Sequence, residues 1–101
     1  MIYNLPDLYD AQYQYYRDDL LFYTALANDY GSPVLELGAG TARVSVALAK
    51  AGHAVRGIEH SQAMIKKGQE KVVKENLGKL ITLQQGDMRS VELTQTFPVV
   101  V

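Results

Sequence analysis

The stretch VLELGAGTAR, Val34 to Arg43, decides the fold that the sequence predicts. Its first four residues are mostly apolar and indicate a short buried strand, and a helix is predicted to follow from Thr41. Gly38 and Gly40 lie between the two, where the backbone must turn sharply and let a ligand approach closely. Such turns are typical of phosphate-binding loops, but glycines in them also serve packing alone. The glycine pair by itself is therefore weak evidence for a ligand.

Strands and helices alternate along the rest of the chain. Apolar spacing and Gly or Pro breaks predict helices over residues 7–30, 41–50 and 62–76, and strands over residues 34–37, 54–59, 80–85 and 97–101. This alternation indicates right-handed βαβ crossovers and a parallel sheet. The sequence therefore predicts an α/β fold of the doubly wound type, with about four parallel strands, flanking helices and an N-terminal helix.

The last predicted strand ends with the chain itself, at Val99 to Val101. A parallel strand that is buried on both faces needs a following connection and neighbouring strands. We therefore expect the first half of a larger domain, in which residues 1–32 form a helical cap segment. Residues 33–101 are expected to form a half-domain that is truncated in its fourth strand. A complete small domain with a frayed end is the alternative.

The composition excludes several classes of protein. Ten basic and eleven acidic residues give a net charge of -1, so no basic surface for nucleic acid is expected. The chain has no cysteine and two histidines without a metal-binding pattern, so we expect neither disulfides nor a metal site. No apolar run is long enough for a membrane span, and the N-terminus lacks the form of a signal peptide. We expect a cytoplasmic protein.

Three details around the glycine loop narrow the choice of ligand. The dinucleotide fingerprint G-x-G-x-x-G requires glycine at position 43, where this chain has Arg43. Glu36, at the end of the first strand, would repel a pyrophosphate but suit a ligand that carries an ammonium group. Glu59 and Asp87 follow the next two strands, so all three acids are expected at the carboxyl edge of the sheet, where open α/β folds bind ligands. Glu59 is placed to accept hydrogen bonds from two ribose hydroxyls, and Asp87 from an exocyclic amine of adenine.

With these motifs the sequence resembles the class I S-adenosylmethionine-dependent methyltransferases. The likeness covers most of the chain, from GSPVLELGAGTAR through AGHAVRGIEHSQAMI to LQQGDMRS and FPVVV. It implies a Rossmann-like fold, S-adenosyl-L-methionine as cofactor and S-adenosyl-L-homocysteine as product. It also implies that residues 33–101 are the cofactor-binding half of a domain with further strands.

The resemblance implies roles for the residues of the glycine loop. The family's first motif, acid-x-Gly-x-Gly, is matched by Glu36, Gly38 and Gly40 with Ala39 between the glycines, and it cradles the methionine part of the cofactor. The family often has a third glycine where this chain has Ala42. We expect this to be a mild change, because alanine is still small.

Two further motifs are matched at the ends of the next strands. Glu59 corresponds to the acid that holds the ribose hydroxyls, and the neighbouring His60 is expected along the ribose or adenine edge. Asp87 and Met88 correspond to a turn that reads and covers the adenine. The fourth strand, which commonly opens Phe-Asp in the family, opens with residues 97–98, Phe-Pro, so any contact made by that acid is in doubt.

The N-terminal helix resembles a segment that folds over the cofactor in related methyltransferases. By that resemblance Tyr16 is a candidate contact with the cofactor's carboxylate, as are Tyr13 and Arg17. The alternative is an amphipathic helix whose tyrosines pack on the sheet with their hydroxyls in water. No residue of this chain is nominated as catalytic, because acceptor-binding groups are expected mainly outside it.

The function expected from the resemblance is methyl transfer from S-adenosylmethionine to an unidentified acceptor, taken to be a small molecule. Two alternatives remain open. One is a non-catalytic cofactor-binding half-domain that forms a homodimer through the exposed edge at Val99 to Val101. The other is a Rossmann unit that binds a nucleotide or NAD.

Overall fold

The computed structural model of the chain describes residues 18–87 and 95–101. These residues form three helices and four strands: α1 (Asp18–Tyr30), β1 (Val34–Leu37), α2 (Arg43–Lys50), β2 (Val55–Glu59), α3 (Gln62–Lys74), β3 (Ile81–Gln85) and β4 (Val99–Val100). The strands are parallel and lie in the order β3-β2-β1-β4. The predicted α/β fold with a parallel sheet is confirmed. None of the described helices is long and apolar enough to cross a membrane.

The register of the sheet brings the carboxyl ends of the strands to one edge. Leu37 at the end of β1 pairs with Ile58 of β2, and Glu59 at the end of β2 pairs with Gln85 of β3. The segments that follow these strand ends therefore lie side by side. This edge contains the glycine loop, and it is where ligands bind in open parallel sheets.

The fourth strand lies beside the first. Val34 of β1 pairs with Val99, and Leu35 pairs with Val100. The pairing continues beyond β4, because the backbone N–H of Leu37 donates to the carbonyl of Val101 at 2.9 Å. In the sheet formed by the described residues, β4 is the terminal strand next to β1.

Two apolar clusters join the helices to the sheet. The first packs α1 and α2 against β1, β2 and β4, and its centre includes Leu48, which is 1% exposed. Full burial of one such side chain contributes about 1.5–3 kcal/mol. The second cluster packs α2 and α3 against β3 through Ala49, Val72 and Ile81. Both clusters lie between the helices and the sheet.

The helix ends show which local signals predict the structure correctly. Ser61 is the N-cap of α3, a position that serine favours, and it accepts a hydrogen bond from the backbone N–H of Met64 at 3.3 Å. Gly52 has φ +94° just after α2, where a left-handed glycine commonly ends a helix. The helix α2, however, begins at Arg43 and not at the predicted Thr41. The reason is that Ala42 adopts a left-handed conformation and delays the helix.

Candidate functional site

The loop between β1 and α2, residues 38–42, turns through three left-handed residues. Gly38 has φ 72°, Gly40 has φ 59° and Ala42 has φ 68°. Glycine adopts this region freely, whereas a Cβ there costs about 1–2 kcal/mol. Position 42 thus keeps a glycine-like backbone although it carries a methyl group. The methyl group of Ala42 faces Gly68 of α3, where an added Cβ would lie 3.3 Å from the Cβ of Ala42.

The strand β2 holds the first part of this loop. The backbone N–H groups of Gly38 and Ala39 donate to the carbonyl of Ile58 at 2.8 and 2.9 Å. The N–H of Gly40 donates to Oε1 of Glu59 at 2.9 Å. These three N–H groups therefore have protein partners, and the loop is preorganised rather than free.

Glu36 is a buried carboxyl with partners on α2. It is 7% exposed, and its Oε1 accepts the hydroxyl hydrogen of Ser45 at 2.5 Å. Burial raises the pKa of Glu36 to about 7, against the opposing effects of the Ser45 hydrogen bonds and the positive charge of Arg43. The carboxyl therefore gains or loses its proton near neutral pH. In its ionised form it would accept an ammonium group at the edge of the sheet.

Glu59 lies next to the loop and is almost fully buried, with 2% of its surface exposed. Its Oε1 accepts from Gly40, and its Oε2 accepts the backbone N–H of Ser61 at 2.9 Å. Nδ1 of His60 is 3.3 Å from the same Oε2, and the His60 side chain is 65% exposed. A carboxylate offers about four acceptor positions, so the backbone bonds leave capacity for hydroxyl donors.

The turn after β3 lies beside the end of β2. The N–H of Gly86 donates to the backbone carbonyl of Glu59 at 3.0 Å, which brings the half-buried Asp87 to the same edge. The remaining candidates, Met88 and Tyr16, lie outside the described residues, as do Tyr13 and Arg17. The structure thus gathers Glu36, Glu59 and Asp87 at one edge, while their ligand contacts stay predictions.

Sequence reasoning misses three residues that support the site. Ser45 is predicted only as a helix residue, yet it bonds Glu36. Lys71 of α3 belongs to none of the sequence motifs, yet its Nζ donates to Oγ1 of Thr41 at 3.0 Å and so reaches the glycine loop. From the sequence, Arg43 shows only that the dinucleotide fingerprint is absent, and no role in the site is predicted for it. The available signal is position: Ser45 lies in the first turn of α2, which faces the preceding strand end.

The described part of the chain contains no candidate metal site. Within residues 18–87 and 95–101, no three His, Asp or Glu side chains group in a way that could hold a metal ion. The chemistry of the described edge is that of buried carboxylates and a tight loop. Such groups bind cationic and hydroxyl-bearing parts of an organic ligand through hydrogen bonds.

A family model described as a methyltransferase domain matches residues 34–101. The match begins at the first residue of β1 and includes the glycine loop and all four described strands. The chain therefore belongs to this methyltransferase family, which confirms the resemblance to class I methyltransferases. The comparison with curated proteins gave no significant match.

Solved structures of methyltransferases share the fold. The CcbJ methyltransferase from Streptomyces caelestis has 40% sequence identity and a TM-score of 0.73, and the match covers 83% of this chain and 33% of CcbJ. The glycopeptide N-methyltransferase MtfA, crystallised with sinefungin, has 25% identity and a TM-score of 0.70, with 82% of this chain and 34% of MtfA covered. This chain thus spans about a third of the length of each of these two proteins.

A protein from Methanococcus maripaludis shares the fold at low sequence identity. It is described as an S-adenosyl-L-methionine-dependent methyltransferase and has 21% identity and a TM-score of 0.72. The match covers 85% of this chain and 42% of that protein. At this identity the likeness shows the fold alone, a Rossmann-like parallel sheet.

Proposed function

We propose that this chain is the cofactor-binding portion of a methyltransferase and that it binds S-adenosylmethionine at the carboxyl edge of its sheet. The observation that carries the proposal is the pair of buried carboxyls, Glu36 and Glu59, at the ends of adjacent strands on either side of the glycine loop. Their chemistry as hydrogen-bond acceptors fits S-adenosylmethionine: one acid suits the ammonium of the methionine part, and the other suits the ribose diol. MtfA, a relative by fold, was crystallised with S-adenosyl-L-methionine and with S-adenosyl-L-homocysteine.

Each part of the edge has a separate task in this proposal. The loop around Gly38 and Gly40, with Ala39 between them, lets the methionine part approach the backbone. Glu59 accepts hydrogen bonds from the ribose hydroxyls with His60 alongside, and Asp87 accepts one from the adenine amine. Met88 and Tyr16 belong to the same proposal as covers of the cofactor, outside the described residues.

The bound cofactor would supply an activated methyl group attached to a sulfonium sulfur. When a nucleophile attacks the methyl carbon, the sulfur would leave as a neutral thioether. Such a reaction depends mainly on positioning and on exclusion of water, with a base only where the acceptor must lose a proton. The residues described here orient the ligand and bind its charged and hydroxyl groups. We place the groups that bind the acceptor outside this chain, and the acceptor itself is proposed to be a small molecule.

Calorimetric titration tests the proposal with S-adenosylmethionine, S-adenosylhomocysteine and NAD as separate ligands. We expect the first two to bind with one-to-one stoichiometry and NAD not to bind. Binding of NAD alone would overturn the proposal in favour of a dinucleotide-binding unit. The cytoplasmic location expected from the sequence belongs to the same proposal, and fractionation of cells that produce the protein tests it.

A second role has one observation in its favour. The strand β4 is terminal in the described sheet, and Val100 on it is 56% exposed. An apolar strand at a sheet edge pairs readily with another chain. Homodimer formation through β4 is therefore proposed as an additional property of the isolated chain, compatible with cofactor binding.

A further inference from the structure

An ion pair joins the first turn of α1 to the first residue of α2. Nη1 of Arg43 donates to Oδ1 of Asp19 at 3.1 Å, and Nη2 donates to Oδ2 at 2.5 Å. This is the bidentate arrangement in which arginine binds a carboxylate with the most defined geometry. The Arg43 side chain is only 16% exposed, so it is less screened by water than an ordinary surface cation. The hydrogen bond from Arg43 is also the main reason that the pKa of Asp19 is lowered.

The ion pair lies next to Ala42, the left-handed residue at the end of the glycine loop. Arg43 follows Ala42, which is fully buried and holds φ 68° without any side-chain cap for α2. A residue with a Cβ keeps such a conformation only where the surrounding structure imposes it. The guanidinium of Arg43 therefore ties the end of the loop and the start of α2 to α1.

Contacts from three elements surround the loop. From β2, Glu59 accepts the N–H of Gly40 at 2.9 Å. From α3, Lys71 donates to Thr41 at 3.0 Å. The Arg43 pair supplies the contact from α1. The loop is thus held between a strand and two helices as well as by its own turn.

We propose that Arg43 is a positioning residue of the cofactor site: paired with Asp19, it holds residues 38–42 in the conformation that receives the amino-acid end of the cofactor. It acts through the loop and does not itself contact the ligand. The inference rests on the proposed function, because it assumes that the loop receives the methionine part. It predicts that loss of the ion pair weakens the affinity for ligands with an amino-acid end and leaves the affinity for ligands without one unchanged.

The test compares two ligands that share an adenosine thioether. S-adenosylhomocysteine carries the amino-acid end, whereas 5′-methylthioadenosine lacks it. In calorimetric titrations, Arg43→Met and Asp19→Asn are each expected to weaken S-adenosylhomocysteine binding by about fivefold or more, the scale of a coupled charge pair. The affinity for 5′-methylthioadenosine is expected to stay unchanged. The reversed pair, Asp19→Arg with Arg43→Asp, is expected to restore much of the lost affinity.

A second ion pair at the opposite end of α2 provides the matched control. Nζ of Lys50 lies 3.3 Å from Oε2 of Glu75, with side chains 55% and 40% exposed. The double variant Lys50→Met with Glu75→Gln should leave both affinities unchanged. Circular dichroism and a thermal melt establish that each variant is folded at the titration temperature, and Asp19→Asn carries the test if Arg43→Met does not fold.

The outcomes separate this inference from the proposed function. A wild-type chain that binds neither adenosine ligand overturns the proposed function and the inference together. If the wild-type chain binds both ligands and the folded Asp19→Asn variant keeps its affinity for S-adenosylhomocysteine, the inference alone is wrong. Equal weakening of both ligands likewise overturns it, because the pair would then only stabilise the fold.

Discussion

The backbone N–H of Gly40 donates to Oε1 of Glu59 at 2.9 Å, although the two residues are 19 positions apart. This bond joins the glycine loop after β1 to the end of β2. The other carboxylate oxygen accepts the N–H of Ser61, at the cap of α3. One buried acid therefore orients the starts of both segments that follow the central strands.

Replacement of Glu59 by alanine is expected to weaken S-adenosylhomocysteine binding by a few kcal/mol. Hydrogen bonds to charged groups contribute about 1.5–3 kcal/mol each, and this carboxylate is proposed to accept two from the ribose. The melting temperature should fall as well, because the N–H of Gly40 loses its buried partner. Titration calorimetry measures the affinity, and Glu75→Ala, at an exposed glutamate, is the control. An unchanged affinity would remove Glu59 from the site.

The unfolding free energy is expected to depend on pH through Glu36. In the unfolded chain this carboxyl loses its proton near the ordinary glutamate pKa of 4.5, but burial raises the pKa of the folded carboxyl to about 7. Between these values the folded state binds more protons, so the contribution of Glu36 to stability falls as pH rises, by up to about 1.4 kcal/mol per pH unit. Above the folded pKa the loss is complete.

Urea unfolding of the wild-type chain and of Glu36→Gln, at pH values from 5 to 8, measures this contribution. The difference between the wild-type and variant stabilities should shift steadily in favour of the glutamine variant as pH rises. Glutamine keeps the volume and can still accept a hydrogen bond from Ser45, so the comparison isolates the charge. Parallel stability curves for the two proteins would show that Glu36 does not titrate in this range.

The same acid is expected to make cofactor affinity depend on pH. If Glu36 binds the cofactor's ammonium only when ionised, the affinity for S-adenosylhomocysteine should rise from pH 5.5 to 7.5 and then level off. Binding at the lower pH should release a proton, which calorimetry detects when buffers of different ionisation enthalpy are compared. Glu36→Gln should bind weakly and without this pH dependence. A wild-type affinity that is constant over this range would contradict the assigned role.

A methyl group added at Gly57 is expected to disturb both stability and binding. A Cβ on this residue of β2 would lie 2.8 Å from the Cβ of Ala39 and 2.9 Å from Cδ2 of Leu83. The leucine can adjust, but Ala39 can move only with the loop. Overpacking of this kind costs about 1–3 kcal/mol, and displacement of the loop should lower cofactor affinity. Gly57→Ala is therefore predicted to lower both the melting temperature and the affinity.

Gly78 offers the control for this substitution. A Cβ there would have nothing within 4 Å, and the residue does not have positive φ. Gly78→Ala should therefore leave the melting temperature and the affinity close to wild type. A Gly57→Ala variant that is as stable and binds as tightly as Gly78→Ala would show that the loop tolerates the displacement.

Self-association through β4 is expected at high protein concentration. Light scattering coupled to size-exclusion chromatography should show dimers of the wild-type chain and monomers of Val100→Lys, because a lysine on an edge strand opposes pairing. Val73→Lys is the matched control, since Val73 is 78% exposed but lies on α3. A wild-type chain that stays monomeric at high concentration would refute the dimer.

Much of the site could be predicted because its signals are local in the sequence. Glu36, the glycines and Glu59 each stand at a strand end or in a turn, and parallel strands bring their carboxyl ends to one edge. The delayed start of α2 could not be predicted, because alanine at position 42 gives no local sign of a left-handed backbone. The hydrogen bond from Ser45 to Glu36 could not be predicted either, since a serine in a helix is usually only a surface residue.

The sequence by itself determined the family, the alternation of helices with parallel strands, and the positions of the acids at the strand ends. Each of these follows from apolar periodicity, glycines and acids that can be located in the sequence without knowledge of the packing. Only the tertiary structure decided how those groups are used. The pKa of Glu36 lies near neutral pH because folding removes the carboxyl from water, and this effect outweighs the opposing hydrogen bonds from Ser45. Arg43 came to pair with Asp19, 24 positions away, because α1 packs against α2. Burial and long-range pairing depend on which elements meet, and no local stretch of sequence encodes that.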